Sequence, residues 1–284
     1  MDGDDRLFKR LKWIWIMSLS CVLAGCGFFA NSLFCAKSVR PADSKKSICA
    51  TVKEKKAYSV QPAACAQKRK VAYLTFDDGP SALTPELLDE LNQNHVKATF
   101  FVVGLNAEKY PDTLKQMTRD GDVIGVHSWT HNYAYIYKNT ENFFTDFNQL
   151  KVYINQLTGI CPSICRFPGG TNNTICRRYN RKHIMRRIVR QVHGMGFQYY
   201  DWNVSSGEAS AVPPSESAIV TNVTTQCQDK NTAVILFHDT DNKNYVKAVP
   251  QIIVKLRSEG FLFETLSPHS PSGKAQKAMQ FTPT

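Results

Sequence analysis

From Val71 onwards, short apolar runs alternate with longer amphipathic stretches, and this rhythm restricts the fold more than any other feature of the chain. The strand-like runs are 71–76, 98–103, 123–126, 163–167, 197–201, 233–237 and 261–264. Between them lie helix-like segments at 84–94, 107–120, 141–158, 180–194, 215–228 and 245–258. Strands joined through helices run parallel, because a crossover returns the chain to the same end of the sheet. Near-continuous apolar strands are buried on both faces, which calls for helices around a sheet. The expected fold is therefore α/β, a distorted (β/α) barrel of seven or eight strands. Local signals agree. Thr84-Pro85-Glu86 reads as an N-cap followed by a first-turn proline, and Gly121, Gly159, Gly194 and Gly260 stand where helices should stop.

The 284 residues are 43% hydrophobic, enough to bury a sizeable core. We expect a membrane anchor or signal segment at 1–36, a linker at 37–68 rich in Lys, Ala, Ser and Gln, a folded domain at 69–267 and a flexible tail at 268–284. Residues 13–36 carry no formal charge and follow Arg6, Lys9, Arg10 and Lys12. That uncharged length exceeds a secretory apolar core and reaches the roughly 20 residues that span a bilayer. An uncleaved signal anchor is the favoured reading. Leu23-Ala24-Gly25-Cys26 also looks like a lipoprotein processing site, with Cys26 lipidated. Either way the folded domain lies outside the cytoplasm, anchored to the membrane.

Thirty-five basic against 24 acidic residues give a formal charge of +11. Such an excess suits nucleic acid, anionic membrane or an acidic wall polymer. No zinc-finger spacing or aromatic-basic RNA signature accompanies it, so a nucleic-acid partner is not expected. Segment 180–194 bears Arg181, Lys182, Arg186, Arg187 and Arg190 and is expected to be a solvated outer face. Of nine cysteines, Cys49, Cys65, Cys161, Cys165, Cys176 and Cys227 fall outside the apolar segment. An even number in an exported domain permits disulfides without choosing a pairing.

Chemistry concentrates at strand ends. Asp77 and Asp78 close the first apolar run just before Gly79-Pro80. Two adjacent carboxylates are costly unless a cation or proton holds them. His127 and His131 lie four apart, one helical turn, so one aspartate with two histidines makes a divalent-metal ligand set with open positions. The other aspartate would be left for proton transfer. Arg166, Asp201, Trp202 and His238 each end or follow a later strand. A β/α barrel would bring all of them to one face. No G-x-S-x-G elbow supports a serine hydrolase.

In order, Thr75-Phe76-Asp77-Asp78-Gly79-Pro80, His127-Ser128-Trp129-Thr130-His131, Arg166-Phe167-Pro168-Gly169, Asp201-Trp202 and Leu236-Phe237-His238 resemble the five motifs of the polysaccharide deacetylases, carbohydrate esterase family 4. The family includes rhizobial chitooligosaccharide deacetylases, and the resemblance covers Val71 to Leu266. It implies that Asp77 is the general base, held by Arg166, and that Asp78, His127 and His131 bind one divalent metal. Zinc is the expected ion, with cobalt, nickel or iron also compatible. It further implies that His238 is the general acid, oriented by Asp201, that the Gly169 N–H stabilises an oxyanion, and that Trp202 and Leu236 line the acetyl pocket. The third motif often has an aromatic residue where this chain has Gly169, so the N–H is kept and a ring is missing. The activity implied is N-deacetylation of a cell-envelope glycan by a monomer, with N-acetylglucosamine of peptidoglycan as the leading substrate. N-acetylmuramic acid, chitin oligomers, an exopolysaccharide, O-acetyl xylan, or an inactive glycan-binding module are the alternatives.

Overall fold

The computed structural model describes residues 69–179, 183–210 and 212–271. The anchor, lipoprotein and linker readings, and Cys21, Cys26, Cys35, Cys49 and Cys65, lie outside the described residues. No helix among the described residues is long and apolar enough to cross a membrane.

Among the described residues, eight strands form one sheet in the order β5-β4-β3-β2-β1-β7-β6, with β8 pairing the start of β1. They are β1 (Lys70–Asp77), β2 (Thr99–Val103), β3 (Val123–Ser128), β4 (Ile164–Cys165), β5 (Gln198–Tyr199), β6 (Val204–Ser205), β7 (Thr232–His238) and β8 (Phe261–Phe263). Every pairing is parallel. The sheet is a curled barrel left open between β5 and β6, which do not pair. Helices α1 (Thr84–Gln93), α2 (Gly104–Lys109), α3 (Pro111–Asp120), α4 (Tyr133–Ile136), α5 (Thr140–Thr158), α6 (Cys176–Tyr179), α7 (Ile184–Gly194), α8 (Glu216–Cys227) and α9 (Lys243–Ser258) connect and cover it.

Strand periodicity sorts β1 into two layers. Ala72, Leu74 and Phe76 face the helices in the large core, where Phe76 stacks on Phe100 and Phe237 at 5.2 and 5.1 Å. Tyr73 points the other way, into a smaller core inside the curl with Phe101, Ile164, Tyr200, Val234 and Leu266. Thr75 and Asp77 continue that inner face, and register sets them opposite Leu236 and His238. The same alternation that builds the core therefore aims Asp77, Leu236 and His238 into one cleft.

Three local expectations change. Thr84 is the first helical residue of α1 rather than its cap, and its hydroxyl donates to Asp239 instead. The 107–120 segment is two helices, broken at Pro111, whose ring cannot continue the preceding turn. Helix α7 does stop at Gly194, but the left-handed residue that turns the chain is Gly196. Cys161, Cys165, Cys176 and Cys227 are free thiols.

Candidate active site

Asp78 leaves β1 in the left-handed region, with φ 72°. Its N–H donates to the Phe101 carbonyl at 3.1 Å and its own carbonyl accepts from Asn106 at 2.7 Å. The turn can form because residue 79 is glycine: a Cβ there would lie 2.1 Å from the Asp239 carboxylate. Asp239 is itself buried and accepts from Ser81, Thr84 and Tyr245 at 2.6–2.8 Å.

His127 is on β3, but His131 lies beyond it in a left-handed turn with φ 52°, so the pair does not share a helical turn. Asp146 of α5 makes the turn instead. Its Oδ1 accepts from Ser128 Oγ and Trp129 N at 2.7 and 2.6 Å, and its Oδ2 from Thr130 N and Oγ1 at 2.9 and 2.7 Å. Ser128 Oγ in turn accepts from His131 N at 2.9 Å. This clamp stacks the two imidazoles with centroids 5.3 Å apart.

Asp78 Oδ1 lies 3.3 Å from both His127 Nε2 and His131 Nε2. That oxygen is buried and has no hydrogen-bond partner among the described residues. His127 Nδ1 is 2.8 Å from the Arg166 carbonyl, an acceptor, which fixes the proton on Nδ1 and leaves the Nε2 lone pair toward Asp78. One oxygen and two imidazole nitrogens, converging on a buried and otherwise unsatisfied carboxylate, fit a divalent cation. Burial would raise the Asp78 carboxyl, but the close approach of His127 and the positive charge that His127, His131 and His238 can carry outweigh it and hold the group well below the usual range.

Arg166 is fully buried and every guanidinium nitrogen is used. Nη1 donates to Asp77 Oδ1 and Thr75 Oγ1, both at 2.8 Å, Nε to the Tyr200 carbonyl at 2.9 Å and Nη2 to the Asp201 carbonyl at 3.3 Å. The Phe101 ring lies 4.4 Å from the guanidinium carbon.

The partner of His238 differs from the expected one. Its Nδ1 lies 2.8 Å from Glu208 Oε1, which also accepts from its backbone N–H. Asp201 does not orient His238: its carboxylate accepts from Thr171 N at 2.9 Å and from the Thr171 hydroxyl. Asp201 thus shapes the 169–172 loop, and Glu208, on the stretch after β6, is the orienting carboxylate that the sequence reading missed. The visible signal was a carboxylate seven residues after Asp201, behind a strand too short to show. Burial would lower the His238 imidazole, but the hydrogen bond its Nδ1–H donates to Glu208 and the charges of Asp77, Glu208 and Asp78 lift it to about 9.

Gly169, Gly170, Thr171, Asn172, Asp201 and Trp202 line a pocket beside these groups. Gly169 has φ 76°, and a Cβ on it would stand 3.1 Å from the Tyr133 hydroxyl. Tyr133, edge-on to His131 at 5.2 Å, therefore occupies the space beside Gly169.

Residues 65–188 match the family model described as polysaccharide deacetylase. A peptidoglycan-N-acetylglucosamine deacetylase of Bacillus cereus is 37% identical over 202 residues, 70% of each chain. The chain belongs to the polysaccharide deacetylase family. Among solved structures, the catalytic domain of a peptidoglycan N-acetylglucosamine deacetylase from Eubacterium rectale is 39% identical with a TM-score of 0.69, over 76% of this chain and 95% of that one. A chitin deacetylase of Colletotrichum lindemuthianum is 27% identical over 69% of this chain and 77% of its own. The deacetylase is accordingly a hydrolase, with a distorted barrel shared by its structural neighbours.

Proposed function

We propose that this deacetylase removes N-acetyl groups from N-acetylglucosamine residues of peptidoglycan, outside the cytoplasmic membrane and held there by segment 13–36. The names of its bacterial relatives support the substrate. The observation that carries the chemistry is the Asp77–Arg166 pair beside the Asp78, His127 and His131 cluster, with His238 opposite on β7.

A divalent cation held by Asp78, His127 and His131, zinc in our reading, supplies Lewis acidity toward an amide carbonyl and brings the pKa of bound water to about 7. Asp77 takes the proton of the attacking water: Arg166 engages its Oδ1 and leaves Oδ2 without a described donor. The Gly169 N–H has no acceptor among the described residues and serves the developing oxyanion. Removing such a donor typically costs about 10²–10³ in kcat. Trp202, at the pocket, and the inward-facing Leu236 enclose the acetyl methyl. His238, its Nδ1 held by Glu208, gives a proton from Nε2 to the departing sugar amine. The products are acetate and a free amino sugar.

The test is acetate release from purified peptidoglycan, chitin oligomers and acetylated xylan. Peptidoglycan should be deacetylated best. Asp77→Asn should bind the metal like the parent and lose about 10³-fold or more in turnover, in line with positioned proton transfer. Binding of glycan without acetate release from any substrate would sink the enzymatic reading in favour of a binding module, and undiminished turnover by Asp77→Asn would sink the base assignment.

A further inference from the structure

Between Asp146 and Asp201 the chain has no acidic residue. The same stretch carries Lys151 and Arg166, and seven more lysines and arginines fall between Arg177 and Arg190. Arg166 is spent inside the barrel, but the others lie on the outside or beyond the described residues. Arg177 and Arg178 of α6 and Arg186, Arg187 and Arg190 of α7 are all exposed. On α7 the three arginines share one face, while Ile184, Met185, Ile188, Val189 and Val192 bury the other. Arg177, Arg178, Arg187 and Arg190 make no ion pair with any described carboxylate. Like charges one turn apart weaken a helix, and no acid in the first turn of α6 or α7 offsets them.

The strip is also placed at the mouth of the site. The α6 helix follows directly on the Gly169–Asn172 pocket wall and packs against α4, which follows His131. The α7 helix returns the chain from the end of β4 to the start of β5, so its first turn, with Arg186 and Arg187, lies toward the face that carries the site. Guanidinium groups match carboxylates in a planar, two-point geometry.

Building on the function proposed above, we infer that the strip formed by α6 and α7 docks the carboxylates on the peptide stems of peptidoglycan, so that the deacetylase selects an anionic glycan. A neutral acetylated glycan can use the catalytic cleft but gains nothing from the strip. The charge sits on KM rather than kcat, because it never touches the reacting atoms.

The metal-loaded full-length chain should be assayed on three substrates: soluble peptidoglycan strands freed of phosphate polymers, the same strands with their carboxylates amidated, and a neutral N-acetylglucosamine oligomer. Raising the salt from 50 to 300 mM should lower kcat/KM about tenfold on the native strands only, as screening of a charged encounter demands. Arg187→Gln/Arg190→Gln and, separately, Arg177→Gln/Arg178→Gln should raise KM about tenfold on native strands. Both should leave the amidated strands and the neutral oligomer at parental kinetics, which also shows that the variants fold. Equal kinetics on native and amidated strands would overturn the inference while leaving the deacetylase reading intact. So would strip variants that weaken binding to phosphatidylglycerol vesicles but not glycan turnover. A parent enzyme that releases acetate from none of the three would remove the proposed function and this inference with it.

Discussion

Glu208 sits 2.8 Å from the ring of His238 and, with Asp77 and Asp78, keeps that imidazole protonated to about pH 9. A general acid works only in its protonated form, so turnover is lost as the pH rises through its pKa. A cation at Asp78 opposes the lift, which places the basic limb of activity at or below pH 9. Glu208→Gln keeps an oxygen within reach of Nδ1 but removes a charge that raises the pKa. The basic limb should move toward the acid side by about one pH unit, equivalent to about 1.4 kcal/mol of lost stabilisation of the imidazolium. Acetate release from pH 5 to 10 reads this directly: the variant should approach the parent at pH 6 and fall about threefold behind at pH 8.5. Superimposable profiles would remove Glu208 from the proton path. Asp201→Asn, by contrast, should leave the limb in place, since its carboxylate bonds Thr171 rather than His238.

Among the elements, the turn after β3 depends on a single carboxylate from another helix. Asp146 accepts four hydrogen bonds from residues 128–130 and is buried. In Asp146→Asn one acceptor becomes a donor facing donors, and buried groups left unsatisfied cost about 1–3 kcal/mol. We expect a stability loss of about 2 kcal/mol in chemical unfolding. Calorimetry should show a 10- to 100-fold loss of metal affinity, the usual effect of removing a group that orients a ligand. Unchanged affinity would mean that His131 holds its position without the clamp. The clamp also marks where the sequence stopped being legible. Strands of five residues or more announced themselves through continuous apolar runs, and β1, β2, β3 and β7 lie within a residue or two of their expected spans. The two-residue β6 has no periodicity to display, so Glu208 behind it went unread. The 127–131 spacing looked helical because four residues match one turn. Its conformation is set by Asp146, fifteen residues beyond His131, and local pattern cannot report a contact made by tertiary packing. Asp77, Asp78, His127, Arg166 and His238 could be placed on one face because strand ends converge by topology alone, whereas His131 joins them through the Asp146 clamp.

For the molecule as a whole, the cleft joins its two cores through buried ionisable groups. Asp77, His127 and Arg166 are each almost fully enclosed, and Asp78 carries a charge with an unsatisfied oxygen. The native state holds the three candidate ligand atoms of Asp78, His127 and His131 within 4.8 Å of one another, an arrangement the unfolded chain would have to assemble at the cost of its entropy. A cation that binds only the native arrangement must therefore stabilise the whole barrel by mass action. At a concentration of 100 times its dissociation constant the gain is about 2.7 kcal/mol. A domain of this size shifts its melting temperature by roughly 2–4 °C per kcal/mol, which gives an increase of about 5–11 °C. Chelator-stripped protein titrated with zinc should show that increase in a thermal melt, reversed by further chelator. His127→Ala removes a ligand and the hydrogen bond to the Arg166 carbonyl, so its melt should start lower and respond little to zinc. Asp77→Asn leaves the ligand set whole and should keep the full shift even though its turnover is lost. A His127→Ala protein that melts as much higher with zinc as the parent would show that the cation binds elsewhere, and the division of labour between Asp77 and Asp78 would have to be redrawn.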